Sequence, residues 1–281
     1  QAGRLQQEGI RTGDRVIIVM PQTIEAVAAF LGVMMLGAVP AFLAYPNFKV
    51  EPGKYRAGLV GVTRNLSAMA VLIDSDFPEE MLEYVRCDQS RVLRSDKSIA
   101  YCGVSNDRNW PRAALTDVAF IQHSAGTTGL QKGVPLSHQA VLRQIGHLRE
   151  ALNVNGEQDR IYSWLPLYHD MGLIGGLLGA AAYPGPCVLL APEHFLARPA
   201  LWLRALARCR GTISAAPSFA YAYAAERVRD AELSGLDLGA WRVALDGAEP
   251  VSPRVLRRFA ERFAPFGLDP RALTPVYGLS E

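Results

Sequence analysis

Phe120-Ile121-Gln122-His123-Ser124-Ala125-Gly126-Thr127-Thr128-Gly129-Leu130-Gln131-Lys132-Gly133-Val134 runs from a buried strand into a loop of glycines and hydroxyls, then a single lysine. A helix capped by Ser137 is expected directly after it. Glycines let backbone N–H groups approach phosphate oxygens, hydroxyls donate to those oxygens or help hold a metal, and Lys132 adds a point charge. The Walker pattern G-x-x-x-x-G-K does not fit, because Gln131 stands where its second Gly is required. The dinucleotide pattern G-x-G-x-x-G fails as well, with Thr128 at its second Gly.

Outward from this block, short β-branched runs alternate with helical stripes. Val16-Ile17-Ile18-Val19-Met20 reads as a buried strand, and Thr23 caps a helix that Gly37 ends, with Glu25 in its first turn. Further strands are expected at 38–44, 70–73, 118–123, 160–164, 187–190, 212–215 and 242–245. The helix after Ser137 gathers Val141, Leu142, Ile145, Leu148 and Leu152 on one face. A second, over 198–210, gathers Trp202, Ala205, Leu206 and Cys209, and a third from Ser252 gathers Leu256, Phe259, Ala260 and Phe263. Strands buried on both faces and joined by helices imply an α/β fold with parallel sheets between helical layers. Crossovers then bring the loops after each strand to one edge, where such folds bind ligands. The division expected is a first lobe over 1–159, with a polar region at 88–117, and a second over 160–281.

Composition narrows the classes. The chain has 281 residues, 49% hydrophobic and 20% charged, with formal net charge +2. Disorder is excluded by the apolar fraction, and no chain-wide charge favours nucleic acid or an anionic membrane. Cys87, Cys102, Cys187 and Cys209 form no C-x-x-C pair and are read as reduced thiols of a cytoplasmic protein. The uncharged stretches 26–48 and 171–192 are long enough to span a bilayer, yet Gly37 and Pro40 break one and Tyr183-Pro184-Gly185-Pro186 the other. Each is read as a buried helix, a turn and a strand, so no membrane insertion is expected. A serine hydrolase is excluded by the lack of G-x-S-x-G, and the five histidines show no H-E-x-x-H spacing. The arginines at 254, 257 and 258 are read as a solvated helix face.

Three more segments follow the loop in order: Ser163-Trp164-Leu165-Pro166-Leu167-Tyr168-His169-Asp170-Met171-Gly172-Leu173, then Asp246-Gly247-Ala248-Glu249-Pro250, then Tyr277-Gly278-Leu279-Ser280-Glu281. Together with the loop they resemble the motifs of the adenylate-forming superfamily: acyl-CoA synthetases, fatty acyl-AMP ligases, peptide-synthetase adenylation domains and luciferases. The loop's usual form there is S/T-S-G-[ST]-T-G-x-P-K-G-V; here Ala125 and Gln131 depart from it. Gly13-Asp14-Arg15-Val16 fits the early part of such enzymes. The His169 segment and Pro217-Ser218-Phe219-Ala220-Tyr221 are most similar to the fatty acyl-AMP ligase branch. Lys132 is absent from many acyl-AMP ligases and keeps acyl-CoA synthetase proper as the alternative.

The resemblance implies two stacked αβα lobes of an N-terminal domain, truncated at both ends and without the C-terminal lid domain. It implies activation of a fatty or other carboxylic acid by ATP and Mg²⁺ to an acyl-AMP, then transfer to an acyl carrier protein or CoA. Ser124, Gly126, Thr127, Thr128, Gly129 and Lys132 would grip phosphates, Thr127 and Glu281 the metal, and His169 the acyl end. Gly247, Ala248 and Glu249 would flank the adenine with Tyr277 and Gly278, and Ser280 would reach the α-phosphate. His169, Lys132 and Glu281 are then the catalytic candidates. Phe219 and Tyr221 read equally as acyl-pocket residues and as core aromatics. A ribose-binding Asp and a catalytic Lys are expected beyond Glu281, so the isolated chain is expected to be a nucleotide-binding piece that does not turn over.

Overall fold

In the computed structural model, residues 1–46, 51–86, 90–95, 110–124, 132–182 and 185–279 are described. The chain divides into two compact units, 1–141 and 142–279. That division falls inside a helix, ahead of the 159/160 boundary expected from the sequence.

In the first unit, a parallel four-stranded sheet runs in the order β2 (Val39–Phe42), β1 (Arg15–Val19), β3 (Ala70–Ile73), β4 (Arg91–Arg94). The central strands are apolar because both faces are covered. Helix α1 (Ala2–Gln7) buries Ala2 and Leu5. Helix α2 (Ile24–Met35) is capped as expected, with Thr23 Oγ1 accepting from Ala26 N. Gly37 ends it at φ +67, a left-handed conformation that glycine tolerates at little cost. Helix α3 (Pro52–Asn65), capped by the Glu51 carboxylate, was not expected, nor were the short α4 (Leu82–Val85) and β4. The edge strand β4 is only half-buried, so its sequence Arg-Val-Leu-Arg shows no apolar run.

Strands β5 (Val118–Ser124) and β6 (Lys132–Ser137) pair antiparallel, and β6 was not expected from the sequence. The residues after Lys132 do not pass straight into a helix. They first return along β5, and only then does α5 (His138–Ala151) begin, with Ser137 Oγ accepting from Ala140 N. Val141 and Ile145 are buried on α5, but Leu142 is half-exposed: one step along a helix turns a side chain about 100° off the stripe.

The second unit is a five-stranded sheet in the order β11 (Leu273–Pro275), β10 (Val243–Asp246), β9 (Ile213–Ala216), β7 (Ile161–Ser163), β8 (Cys187–Leu189). Every pair is parallel. A π-helical run, Met171–Leu178, leads into α6 (Gly179–Ala182); α7 (Pro192–Ala197), α8 (Ala200–Cys209), α9 (Ser218–Arg227) and α10 (Pro253–Phe263) follow in chain order. The stripes of α8 and α10 meet in an aromatic core. Trp202 lies 5.3 Å from Trp241, Tyr221 5.0 Å from Phe259 and Trp164 3.9 Å from Phe195, ring centre to ring centre. Both indole N–H groups of the central pair are satisfied, Trp202 by Ser214 Oγ and Trp241 by the Val243 carbonyl.

One ion pair ties the N-terminal edge of this sheet together. Arg242, just before β10, donates to both oxygens of Asp159 at 2.9 and 2.6 Å and to the carbonyls of Leu152 and Asn153. Thr212, just before β9, donates to Asp159 at 2.7 Å. Burial opposes ionisation of Asp159, but Arg242, Thr212 and the Asn155 N–H outweigh it and hold the carboxyl below its ordinary range. Arg242→Met should therefore lower stability by about 1.5–3 kcal/mol at neutral pH in urea unfolding. Asp159's share is fully present above the unfolded carboxyl value of about 3.9 and is lost as pH falls through its lower folded value. The gap between wild type and variant should close over that acid range; a gap that persists there would exclude the pair as its source.

Candidate active site

The strands that flank the glycine- and hydroxyl-rich segment belong to the first unit. Ser124 pairs with Lys132, His123 with Gly133 and Gln122 with Val134, so both ends of the loop are held by one hairpin. Ala125, Gly126, Thr127, Thr128, Gly129 and Gln131 lie outside the described residues, as do Ser280, Glu281, Cys87 and Cys102. Lys132 is exposed at the base of the loop. Gly133 has to be small: a Cβ there would lie 3.0 Å from Ile121 Cγ2 and 3.3 Å from Leu66 Cδ2. His123, one residue before Ser124, was not singled out as a site residue. Burial drives its pKa down to about 4 although the Phe42 backbone pulls the other way, and its Nδ1 has no hydrogen-bond partner among the described residues. Its only signal in sequence was the polar end of an apolar strand.

The remaining candidates share one edge of the second unit's sheet, the C-terminal ends of its strands. After β7 comes the His169 segment, after β9 Pro217-Ser218-Phe219, after β10 Gly247-Ala248-Glu249, and after β11 Tyr277-Gly278. From β7 the chain moves outward to β8, then returns to β9 on the other side and continues to β10 and β11. The order reverses between β7 and β9, the crevice where open α/β sheets bind ligands. Candidate residues stand on both sides of it.

His169 is half-exposed, and its Nδ1 lies 2.7 Å from Asp170 Oδ1. Asp170 also accepts from Met171 N at 2.6 Å, capping the π-helical run. Met171 N also donates to Nδ1 at 3.3 Å, so the imidazole is held to its own turn through that one ring atom. The turn depends on Gly172, where a Cβ would sit 2.4 Å from the Pro166 carbonyl oxygen. Phe219 and Tyr221 part company. Phe219 is 47% exposed with its ring edge-on to Trp164 at 6.5 Å, whereas Tyr221 is fully buried among Trp202 and Phe259 and donates to the Leu245 carbonyl at 2.8 Å. Tyr221 is a core aromatic. Burial, aided by Asp246, pushes its phenol pKa well up.

The loop after β10 is tightly held. A Cβ on Gly247 would come within 2.7 Å of Val276 Cγ2, and Ala248 takes φ +68, rare for a residue with a side chain. Asp246 is wholly buried; its Oδ2 accepts from Ser218 Oγ at 2.7 Å, and its Oδ1 has no partner among the described residues. Burial raises its pKa, Ser218 offsets part of that, and Glu249 adds to it. Neither Ser218 nor Asp246 stood out beyond membership in a motif. Tyr277 is 89% exposed beside this loop. Among the described residues no cluster of three His, Cys, Asp or Glu side chains could hold a metal, and no helix is long and apolar enough to cross a membrane.

With that geometry in view, comparison with known proteins is direct. Residues 1–281 match the AMP-binding enzyme family, and the chain belongs to it. It is 34% identical over 279 residues to a 4-hydroxyphenylalkanoate adenylyltransferase of Mycobacterium tuberculosis, covering 96% of this chain and 44% of that one. A long-chain-fatty-acid–AMP ligase of Mycobacterium marinum is likewise 34% identical, with 96% and 46% covered. The crystal structure of a fatty acyl-adenylate ligase from Legionella pneumophila, in complex with acyl adenylate and pyrophosphate, superposes with a TM-score of 0.85 at 29% identity, over 100% of this chain and 48% of that one. The chain thus spans less than half the length of these relatives. The α/β fold with parallel sheets in helical layers agrees with the sequence expectation.

His123 supplies a pH test of these strands. The folded chain keeps the imidazole neutral down to about pH 4, while the unfolded chain takes up its proton near 6.5. Between those values the unfolded state binds more protons, so stability falls as pH drops from 6.5 towards 4. Thermal unfolding of His123→Phe should show a shallower fall across that window; an unchanged slope would refute the assignment.

Proposed function

We propose that the protein carrying this chain activates a carboxylic acid, in the first instance a fatty acid, with ATP. A carboxylate oxygen attacks the α-phosphorus, the bond to the β-phosphate oxygen breaks, and acyl-AMP and pyrophosphate form. The observation that carries the reading is the convergence of the His169, Phe219, Glu249 and Tyr277 segments on one edge of one parallel sheet, around its switch point. The printed activities of the Mycobacterium and Legionella relatives support it.

Chemistry of this kind asks for positioning and charge stabilisation at phosphorus more than for a protein nucleophile. Lys132 at the loop base would meet the departing phosphates together with Ser124, Gly126, Thr127, Thr128 and Gly129. His169, fixed by Asp170, would orient the carboxylate. Gly247, Ala248, Tyr277 and Gly278 would flank the adenine, with Ser280 at the α-phosphate. Mg²⁺ fits the donor chemistry of Thr127 and Glu281, a hydroxyl and a carboxylate, both hard oxygen ligands; when bound it neutralises phosphate charge. In this reading lobe 1–159 contributes the phosphate loop and 160–281 the acyl and adenine segments. The acyl group then passes to a thiol of an acyl carrier protein or CoA, in the cytoplasm.

ATP–pyrophosphate exchange with a panel of fatty and aryl acids, on the protein at its full natural length, is the test. Exchange dependent on one acid class is expected, and none with any acid would defeat the proposal. His169→Ala should lower kcat/KM for the acid by about 10²-fold or more, as should Lys132→Ala for ATP. Losses under twofold at either position would remove that residue from the machinery.

A further inference from the structure

Helix α9 begins without a side-chain cap of its own, because Pro217 holds the N-cap position. A carboxylate from the loop after β10, Glu249, fills that gap, and the carboxylate that ends β10, Asp246, holds the first residue of the helix by its side chain. Asp246 accepts from Ser218 Oγ at 2.7 Å, and Glu249 Oε1 accepts from the Phe219 backbone N–H at 2.6 Å. Ser218 Oγ in turn accepts from Ser252 N at 3.3 Å, joining the head of α10 to the same cluster. Asp246 and Ser218 are buried, whereas Glu249 and Phe219 are exposed on the ligand-facing edge. The left-handed Ala248 immediately precedes Glu249, a conformation worth adopting only where the surrounding contacts repay its strain. The Glu249 carboxylate is therefore already bonded within the protein, and what the loop offers a nucleotide is its backbone.

We infer that Glu249 is a positioning residue for the acid: its carboxylate fixes the first turn of α9, and through it the exposed Phe219 ring on the loop-bearing edge of the sheet. A residue of the adenine-flanking loop thereby sets acid selectivity. The inference rests on the acid-activating reading above. Its physical basis is that Phe219 has little else to hold it. Its one close ring contact among the described residues is the edge-on Trp164 at 6.5 Å, and a charge-assisted bond to its own N–H is the stronger restraint.

The test uses Glu249→Ala, Glu249→Gln, Phe219→Ala and the double variant Glu249→Ala/Phe219→Ala in the full-length protein. ATP–pyrophosphate exchange is measured across acids of increasing chain length. Glu249→Ala should lower kcat/KM for the preferred acids by about tenfold, and unequally along the series, since small misplacements at a reacting group carry losses of that order. KM for ATP should move far less than KM for the acid. Glu249→Gln keeps an amide oxygen that can accept from Phe219 N–H, and it should recover most of the loss. In the Phe219→Ala background the Glu249→Ala effect should largely vanish, the signature of two residues acting through one contact. A uniform loss over all acids with a raised KM for ATP, or a Glu249→Gln variant as impaired as Glu249→Ala, overturns the inference alone. No exchange by the wild-type protein overturns the acid-activating reading and the inference with it.

Discussion

Parallel strands impose a single direction on everything that follows them. Once β7, β9, β10 and β11 run side by side with the same polarity, each connection must leave from the same edge, and helices must carry the chain back to the other. Segments 108 residues apart in sequence, around His169 and Tyr277, are thereby brought to one border of one sheet. The opposite border has a different task. There Asp159, Thr212 and Arg242 lock the strand starts with an ion pair on a buried carboxylate and its hydrogen bonds. One edge is held rigid so that the other can carry loops.

The polar groups of the loop-bearing edge are not free decorations. Asp246 is a carboxylate with no solvent exposure, made tolerable by the Ser218 hydroxyl and left with one oxygen unpartnered among the described residues. Such a group raises its own pKa rather than meet the full cost of a buried charge. It is followed in the chain by a glycine that admits no Cβ and a left-handed alanine, and the π-helical run after Asp170 leaves from the same edge of the sheet. Strain, buried polarity and irregular helix gather at functional edges, where they hold side chains that packing alone would release.

Much of the fold was legible in the sequence. The runs at 16–20, 70–73 and 243–245 are apolar throughout because both sheet faces are covered, and Thr23 and Ser252 cap helices in the way their hydroxyls allow. What escaped was whatever lacked such a run. Strand β4 is an edge with two arginines, β11 is three residues ending in proline, and β6 is a half-buried partner whose pattern is diluted by Gly133 and Pro135. For the candidate site, motif order pointed to His169, Glu249 and Tyr277, which the fold brings to one sheet edge. It could not separate Phe219 from Tyr221, two aromatics within one turn of α9, because their distinction lies in which face of the helix meets Trp202 and Phe259.

The sequence by itself determined the class of fold, the phosphate-loop composition and the family, since these rest on local chemistry and on the order of short segments. Only the tertiary structure decided that the strands flanking the glycine- and hydroxyl-rich segment pair antiparallel, that Tyr221 belongs to the core, and that Glu249 is bonded to the backbone of Phe219. The physical reason is range. A capping hydroxyl or a glycine turn acts over three or four residues, whereas a bond between positions 30 apart exists only once the crossovers have set two strand ends side by side.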